Sequence, residues 1–76
     1  MQVIVFSKQE APFVHTIPEY EKVLLYLDDK GNVHILDVNI NFIEKEDRNV
    51  STVITASEEM IDLTKLMAIA KELNYL

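Results

Sequence analysis

Residues 34–42, His-Ile-Leu-Asp-Val-Asn-Ile-Asn-Phe, alternate apolar and polar side chains almost without exception. Successive side chains of a β-strand point to opposite faces of the sheet, so this stretch predicts a strand with one core face and one solvent face. The predicted core face carries Leu36, Val38, Ile40 and Phe42, and the polar face carries Asp37, Asn39 and Asn41. Such patterning is typical of an antiparallel sheet that is covered on one side.

A hairpin turn precedes this strand. Residues 22–27 and 33–42 flank Asp28-Asp29-Lys30-Gly31-Asn32, and Gly31 is the only glycine in the chain. It stands where a three-residue turn with a bulge needs a positive φ. We therefore predict an antiparallel hairpin. The predicted register pairs Leu24 with Leu36, Leu25 with Ile35, and Tyr26 with His34.

This register makes the hairpin apolar on both faces near its tip. The second face continues into the polar ladder, and its residues are our candidate partner-binding residues: Val23, Leu25, Leu27, Val33, Ile35, Asp37, Asn39 and Asn41. Apolar residues grouped on one exposed face indicate a contact surface. Three possibilities remain for what covers this face: the 7–19 loop with Phe13, Val14 and Ile17, a second copy of the chain, or a different protein. The ladder at Asp37–Asn41 could also be an exposed strand face that keeps the chain soluble.

The remaining segments complete an α+β prediction. Residues 2–6 and 50–54 predict short strands, and residues 7–19, which contain Pro12 and Pro18, predict an irregular loop. Thr55-Ala56-Ser57-Glu58 matches a capping box, which predicts a helix from there to about Asn74. Its apolar stripe would comprise Met60, Leu63, Leu66, Met67, Ala70 and Leu73, with Ile61, Ile69 and Leu76 outside it. We predict one domain over residues 1–76, with an antiparallel sheet of about four strands in ββββα order and the helix packed on one face.

Composition limits the classes of function. The 76 residues include 13 acidic and seven basic side chains, a net charge of −6, and no cysteine. This charge disfavours direct binding to nucleic acid or to an anionic membrane. Without cysteine there is no disulfide and no thiolate metal site. We find no signal peptide and no long apolar run, so we expect a cytoplasmic protein.

No residue pattern indicates catalysis. The two histidines, His15 and His34, lack the spacing of a zinc site, and the single glycine excludes phosphate-binding loops. Because His34 shares parity with Leu36, we expect it to be partly buried near Tyr26. We expect no enzyme activity, no cofactor and no metal.

These observations favour a non-catalytic protein-interaction module, a small accessory or regulatory protein that binds another protein. The lysine- and isoleucine-rich composition also suggests a phage or mobile-element origin. One alternative is a nucleic-acid mimic that inhibits a basic protein, but its acids at residues 28–29 and 44–47 would lie roughly 30 Å apart along the strand. A further alternative is a small enzyme or ligand carrier that uses the 7–19 loop, with His15 as a base.

Overall fold

The computed structural model describes residues 1–8 and 10–75 and shows an α+β fold, a curled mixed sheet with one C-terminal helix. Its elements are β1 (Gln2–Phe6), β2 (Phe13–Thr16), β3 (Val23–Leu27), β4 (Val33–Glu44), β5 (Val50–Ser57) and α1 (Leu63–Glu72). Gln9, in the predicted 7–19 loop, and Leu76, predicted to lie off the helix stripe, are outside the described residues.

The sheet has five strands in the order β2-β1-β5-β4-β3. β1 runs parallel to β5, and the other neighbouring pairs are antiparallel. The predicted α+β fold with a C-terminal helix is confirmed, but the sheet has a fifth strand and one parallel pair that the prediction of about four antiparallel strands did not include. Residues 13–16 of the predicted loop form β2 beside β1, and Pro12 and Pro18 lie just outside it, where a missing N–H costs no ladder bond. The parallel pair joins distant parts of the chain, which no local pattern reveals.

The helix begins later than the capping box predicts. Residues 55–57 belong to β5, where they pair with β1 on one side and with β4 on the other. Thr55, Ala56 and Ser57 are buried, so two-sided sheet pairing outweighs the local helix signal. The N-cap is Asp62, whose Oδ1 accepts a hydrogen bond from the Thr64 amide at 3.1 Å. Lys71 lies in the last turn, where the helix dipole favours a positive charge.

Two separate apolar cores lie on the two faces of the sheet. The inner-face core, on the concave side, contains Val3, Val5, Ile17, Leu36, Val38 and Ala56. The helix-face core contains Ile4, Phe6, Ile43, Val53, Leu66 and Ala70. The curl brings the outermost strands together on the inner face, where the Phe13 and Tyr26 ring centroids are 5.7 Å apart. Helix and inner-face core therefore cover opposite sides of the sheet.

Several predicted core positions are exposed. Ile40 and Phe42 are 45% and 69% exposed, because β3 pairs only with residues 33–37 of β4 and β1 only with residues 55–57 of β5. In residues 1–8 and 10–75, no strand therefore curls over their end of the inner face. On the helix, the predicted stripe was wrong at its start: Met60 and Leu63 are exposed, whereas Ile61 and Ile69 pack against the helix-face core. Met60 and Ile61 precede the helix, so the helical periodicity used for the prediction does not apply to them.

Candidate interaction surface

The predicted β3–β4 hairpin is confirmed in register and turn. Tyr26 pairs with His34 and Leu25 with Ile35, and Gly31 has a φ of +83°. The amide of Asp28 donates to the Asn32 carbonyl at 3.0 Å, and the Gly31 amide donates to the Asp28 carbonyl at 3.1 Å. The Asp28 Oδ1 atom accepts from the amides of Lys30 and Asn32, at 2.9 Å each. The turn is thus closed by backbone and side-chain hydrogen bonds together.

This hairpin projects beyond the rest of the sheet. Asp37 of β4 pairs with Ser57, the last residue of β5, so within the described part of the chain residues 33–36 have β3 as their only strand neighbour. We call residues 23–36 the ribbon. The described chain is elongated, with extents of 43 × 23 × 20 Å.

One side of the ribbon is an exposed aliphatic surface, which we call the ribbon face. It consists of Val23, Leu25, Leu27, Val33 and Ile35, which are 44–68% exposed. Of the three possible covers, the 7–19 segment does not lie on this face. Phe13 and Ile17 pack on the inner face, and Val14 packs against the helix-face core. Residues 13–16 of this segment form β2 at the opposite edge of the sheet, and their inward-facing side chains are taken up by the two cores.

The opposite side of the ribbon is fixed by packing. Leu36 is fully buried in the inner-face core, and Leu24 and Tyr26 pack against it. The prediction of a partly buried His34 near Tyr26 is confirmed, with a ring separation of 6.0 Å. A ribbon that is anchored on one side presents its other side as a preformed surface.

His34 joins the ribbon to the segment between β5 and α1. Its Nε2 lies 2.8 Å from Asp28 Oδ2 and its Nδ1 lies 2.9 Å from Glu58 Oε1. Hydrogen bonding to Asp28 and then to Glu58 raises the pKa of His34 above its ordinary 6.5. The hydrogen bond from His34, followed by those of the turn amides, lowers the pKa of Asp28 to about 2. The sequence did not reveal Glu58 as a partner, because it was assigned to the helix start.

The outer edge of β3 carries backbone groups that point away from the sheet. The Lys22 carbonyl accepts a hydrogen bond from the Val38 amide of β4, and the Asp28 amide donates to the Asn32 carbonyl across the turn. The even-numbered residues between Lys22 and Asp28 therefore direct their amides and carbonyls to β4. Val23, Leu25 and Leu27 therefore direct theirs outward. Among the described residues no strand lies beyond β3. The ribbon face is thus bordered by an open strand edge, which the residue pattern did not reveal.

The polar ladder divides into two parts. Asn41 donates through Nδ2 to the Val53 carbonyl and to Thr55 Oγ1, at 3.1 Å each, so it supports the pairing of β4 with β5. Asp37 and Asn39 are exposed, and Asp37 is the cross-strand neighbour of Val23. These two residues form the polar margin of the ribbon face.

The cavities lie elsewhere than on the ribbon face, although one of about 290 Å³ borders the ribbon turn at Asp28, Asp29 and Lys30. A cavity of about 490 Å³ lies between the β4–β5 turn and the helix; its lining residues include Ile43, Glu44, Met67 and Lys71. A further cavity, of about 350 Å³, adjoins the 7–12 segment, but its lining does not include His15, which is exposed on β2. In residues 1–8 and 10–75, no cluster of three or more side chains could hold a metal ion. Nor is any helix in that part of the chain long and apolar enough to cross a membrane.

The chain matches no protein-family model, no curated protein and no solved structure.

Proposed function

We propose that the chain is a non-catalytic protein-interaction module, a small cytoplasmic accessory or regulatory protein that acts through the ribbon face. The observation that carries this proposal is the group of five aliphatic side chains, each 44–68% exposed, on one anchored ribbon. Scattered surface leucines are ordinary, but contiguous apolar patches mark interaction sites. Because these side chains stay largely exposed after folding, their grouping on one face adds little buried area to the fold.

The chemistry of the ribbon face favours a protein as its partner. The surface carries no charge, and the whole chain has a net charge of −6, which repels nucleic-acid phosphates and anionic lipid. Asp37 and Asn39 lie beside the aliphatic residues. An apolar centre with a polar margin is the usual composition of a protein–protein interface.

The nucleic-acid-mimic alternative has less support. A mimic needs carboxylates that are free to face a basic protein. The Asp28 carboxylate accepts hydrogen bonds from His34 and from turn amides, and the Asp47 carboxylate accepts from Asn49. Each of the two acidic ends, at residues 28–29 and 44–47, thus has a carboxylate that is engaged in internal hydrogen bonds.

The proposal is tested by photo-crosslinking in cells that produce the protein. A photoreactive amino acid replaces Leu25 in one variant and Phe42 in a matched control. The two residues have similar exposure, 68% and 69%, but they lie on opposite faces of the sheet. We expect adducts of higher mass from position 25 and few from position 42.

The mass of an adduct identifies the kind of partner. Absence of any adduct from position 25, in a variant that folds as the wild type does, contradicts the proposal. So does a set of adducts that forms at position 42 alone. A partner that dissociates from the wild type as salt rises from low to high concentration would instead favour charge-based mimicry.

A further inference from the structure

We propose that the ribbon face binds a second copy of the same chain, so that two ribbon faces stack against each other in a two-fold symmetric dimer. This inference rests on the proposed function, because it names the occupant of the same surface. Four features of the described residues support it: area, shape, charge and the size of the core.

The area of the ribbon face is close to what the smallest specific dimers bury. At 44–68% exposure, five aliphatic residues of roughly 150–200 Å² each present on the order of 500 Å² of apolar surface. Two copies would therefore bury about 1,000 Å² from these side chains alone, which is near the lower limit of a specific interface. Contacts of Asp37 and Asn39 at the margin would add to it.

The shape of the ribbon face suits a copy of itself. Its side chains are all valine, leucine or isoleucine on a two-stranded ribbon. A surface without projecting aromatic rings or charged side chains offers little for a differently shaped partner to recognise. Two such aliphatic faces can stack at the ordinary sheet separation of about 10 Å. A two-fold axis makes the same patch serve both chains.

Charge leaves few surfaces on which two copies can meet. Each chain has a net charge of −6, so most approaches bring carboxylates together. The ribbon face contains no ionisable side chain; Asp37 lies opposite Val23 at one end of it, and Asp29 stands in the turn at the other end. Stacking therefore avoids a carboxylate at the centre of the interface. Added salt should leave this dimer unchanged or strengthen it, because it screens the remaining repulsion.

The small, divided core gives a reason for a permanent partner. The buried apolar residues separate into two clusters of six, one on each face of the sheet. The chain has no cysteine with which to cross-link itself. Domains of this size commonly gain stability by oligomerisation. A second copy is present wherever the protein is made, so it can cover the ribbon face at all times.

Sedimentation equilibrium of the full chain from about 1 to 100 µM, at low and high salt, tests the dimer. We compare the wild type with Leu25→Glu, Ile35→Glu and the control Phe42→Glu, which places the same charge on an equally exposed residue of the opposite face. We expect the wild type and Phe42→Glu to be dimers at both salt concentrations. Leu25→Glu and Ile35→Glu should be folded monomers, with dissociation constants raised at least about a hundredfold, because each dimer would bury two unpaired carboxylates.

Other outcomes would overturn the inference. A wild type that stays monomeric at 100 µM would overturn the inference, whether or not the variants fold. A dimer that survives Leu25→Glu and Ile35→Glu but is lost in Phe42→Glu places the interface elsewhere. Protection of the Leu25 amide from hydrogen exchange that rises on dimerisation means edge-to-edge pairing of β3 instead of stacking.

The crosslinking experiment separates this inference from the proposed function. A monomeric wild type whose position 25 gives adducts with a different protein overturns the dimer and leaves the interaction module in place. A monomeric wild type without adducts at position 25 overturns both. An adduct of twice the chain mass of 8.8 kDa, together with a concentration-dependent dimer, supports both.

Discussion

At the scale of single residues, His34 connects two parts of the chain that are distant in sequence. Each ring nitrogen lies within hydrogen-bonding distance of a carboxylate, Asp28 at the ribbon turn and Glu58 after β5. A ring that donates from both nitrogens is the protonated imidazolium, which explains why its pKa is raised. The contact fastens the tip of the ribbon, so the charge state of one side chain affects how firmly the ribbon is held.

This arrangement predicts a pH dependence of stability. The raised pKa of His34 means that its contribution is complete below about pH 6.5 and is lost as the pH rises through the folded-state pKa. The lowered pKa of Asp28 means that its contribution is complete above its ordinary 3.8 and is lost as the pH falls through about 2. The difference in Tm between the wild type and His34→Gln should therefore be greatest between about pH 4 and 6.5.

Thermal unfolding across pH 3–9 measures this difference. The matched control is His15→Gln, at an exposed position of β2. NMR titration of the ring protons should place the His34 midpoint above 6.5. A Tm difference that is independent of pH, or a His34 midpoint below 6.5, would contradict the role assigned to the two carboxylates.

At the scale of elements, the helix shows how sheet pairing competes with a local signal. Thr55 and Glu58 have the spacing of a capping box, yet Thr55 lies in β5 and accepts a hydrogen bond from Asn41. The ten-residue helix begins at Leu63 after the Asp62 cap. A strand with neighbours on both sides gains ladder hydrogen bonds and burial along its length, whereas a cap stabilises only one helix end.

The two candidate caps can be compared directly. Asp62→Ala should lower the free energy of unfolding by about 1 kcal/mol and reduce the helical circular dichroism, because the Thr64 amide loses its acceptor. Thr55→Val keeps a β-branched side chain in the strand and should leave the helical signal unchanged. Chemical denaturation measures the unfolding free energy of both variants, and far-ultraviolet circular dichroism measures their helix content. Loss of helix in Thr55→Val but not in Asp62→Ala would place the cap at the earlier position.

At the scale of the whole molecule, the curl of the sheet decides which apolar residues are buried. Ile17 is 5% exposed although it lies outside the strands, because the meeting of β2 and β3 encloses it on the inner face. Ile40 is 45% exposed although its alternation is that of a core residue. Burial at these two positions depends on where the sheet closes and not on the pattern around either residue.

A matched pair of substitutions tests this closure. Ile17→Ala should cost about 2–5 kcal/mol of unfolding free energy, since it removes a buried side chain from the inner-face core. Ile40→Ala makes the same chemical change at a half-exposed site and should cost less than about 1 kcal/mol. Urea unfolding at one pH compares them. The reverse ranking would mean that Ile40 is the core residue and that the sheet does not close over Ile17.

The sequence by itself determined the features that depend on neighbouring residues. The alternation from His34 to Phe42, with Gly31 at a positive φ, specified the hairpin, its register and the apolar ribbon face. These contacts form between segments separated by one short turn, so local periodicity and turn chemistry are sufficient to place them.

Only the tertiary structure decided that β1 pairs with β5, that Thr55 is a strand residue, that Ile17 is buried, and that the 7–19 segment leaves the ribbon face uncovered. Each of these depends on contacts between segments far apart in the chain. The free energy of such contacts comes from burial and hydrogen bonding with a partner whose position is absent from the local pattern. For that reason the sequence could predict the ribbon face, but it could not predict that the 7–19 segment packs elsewhere.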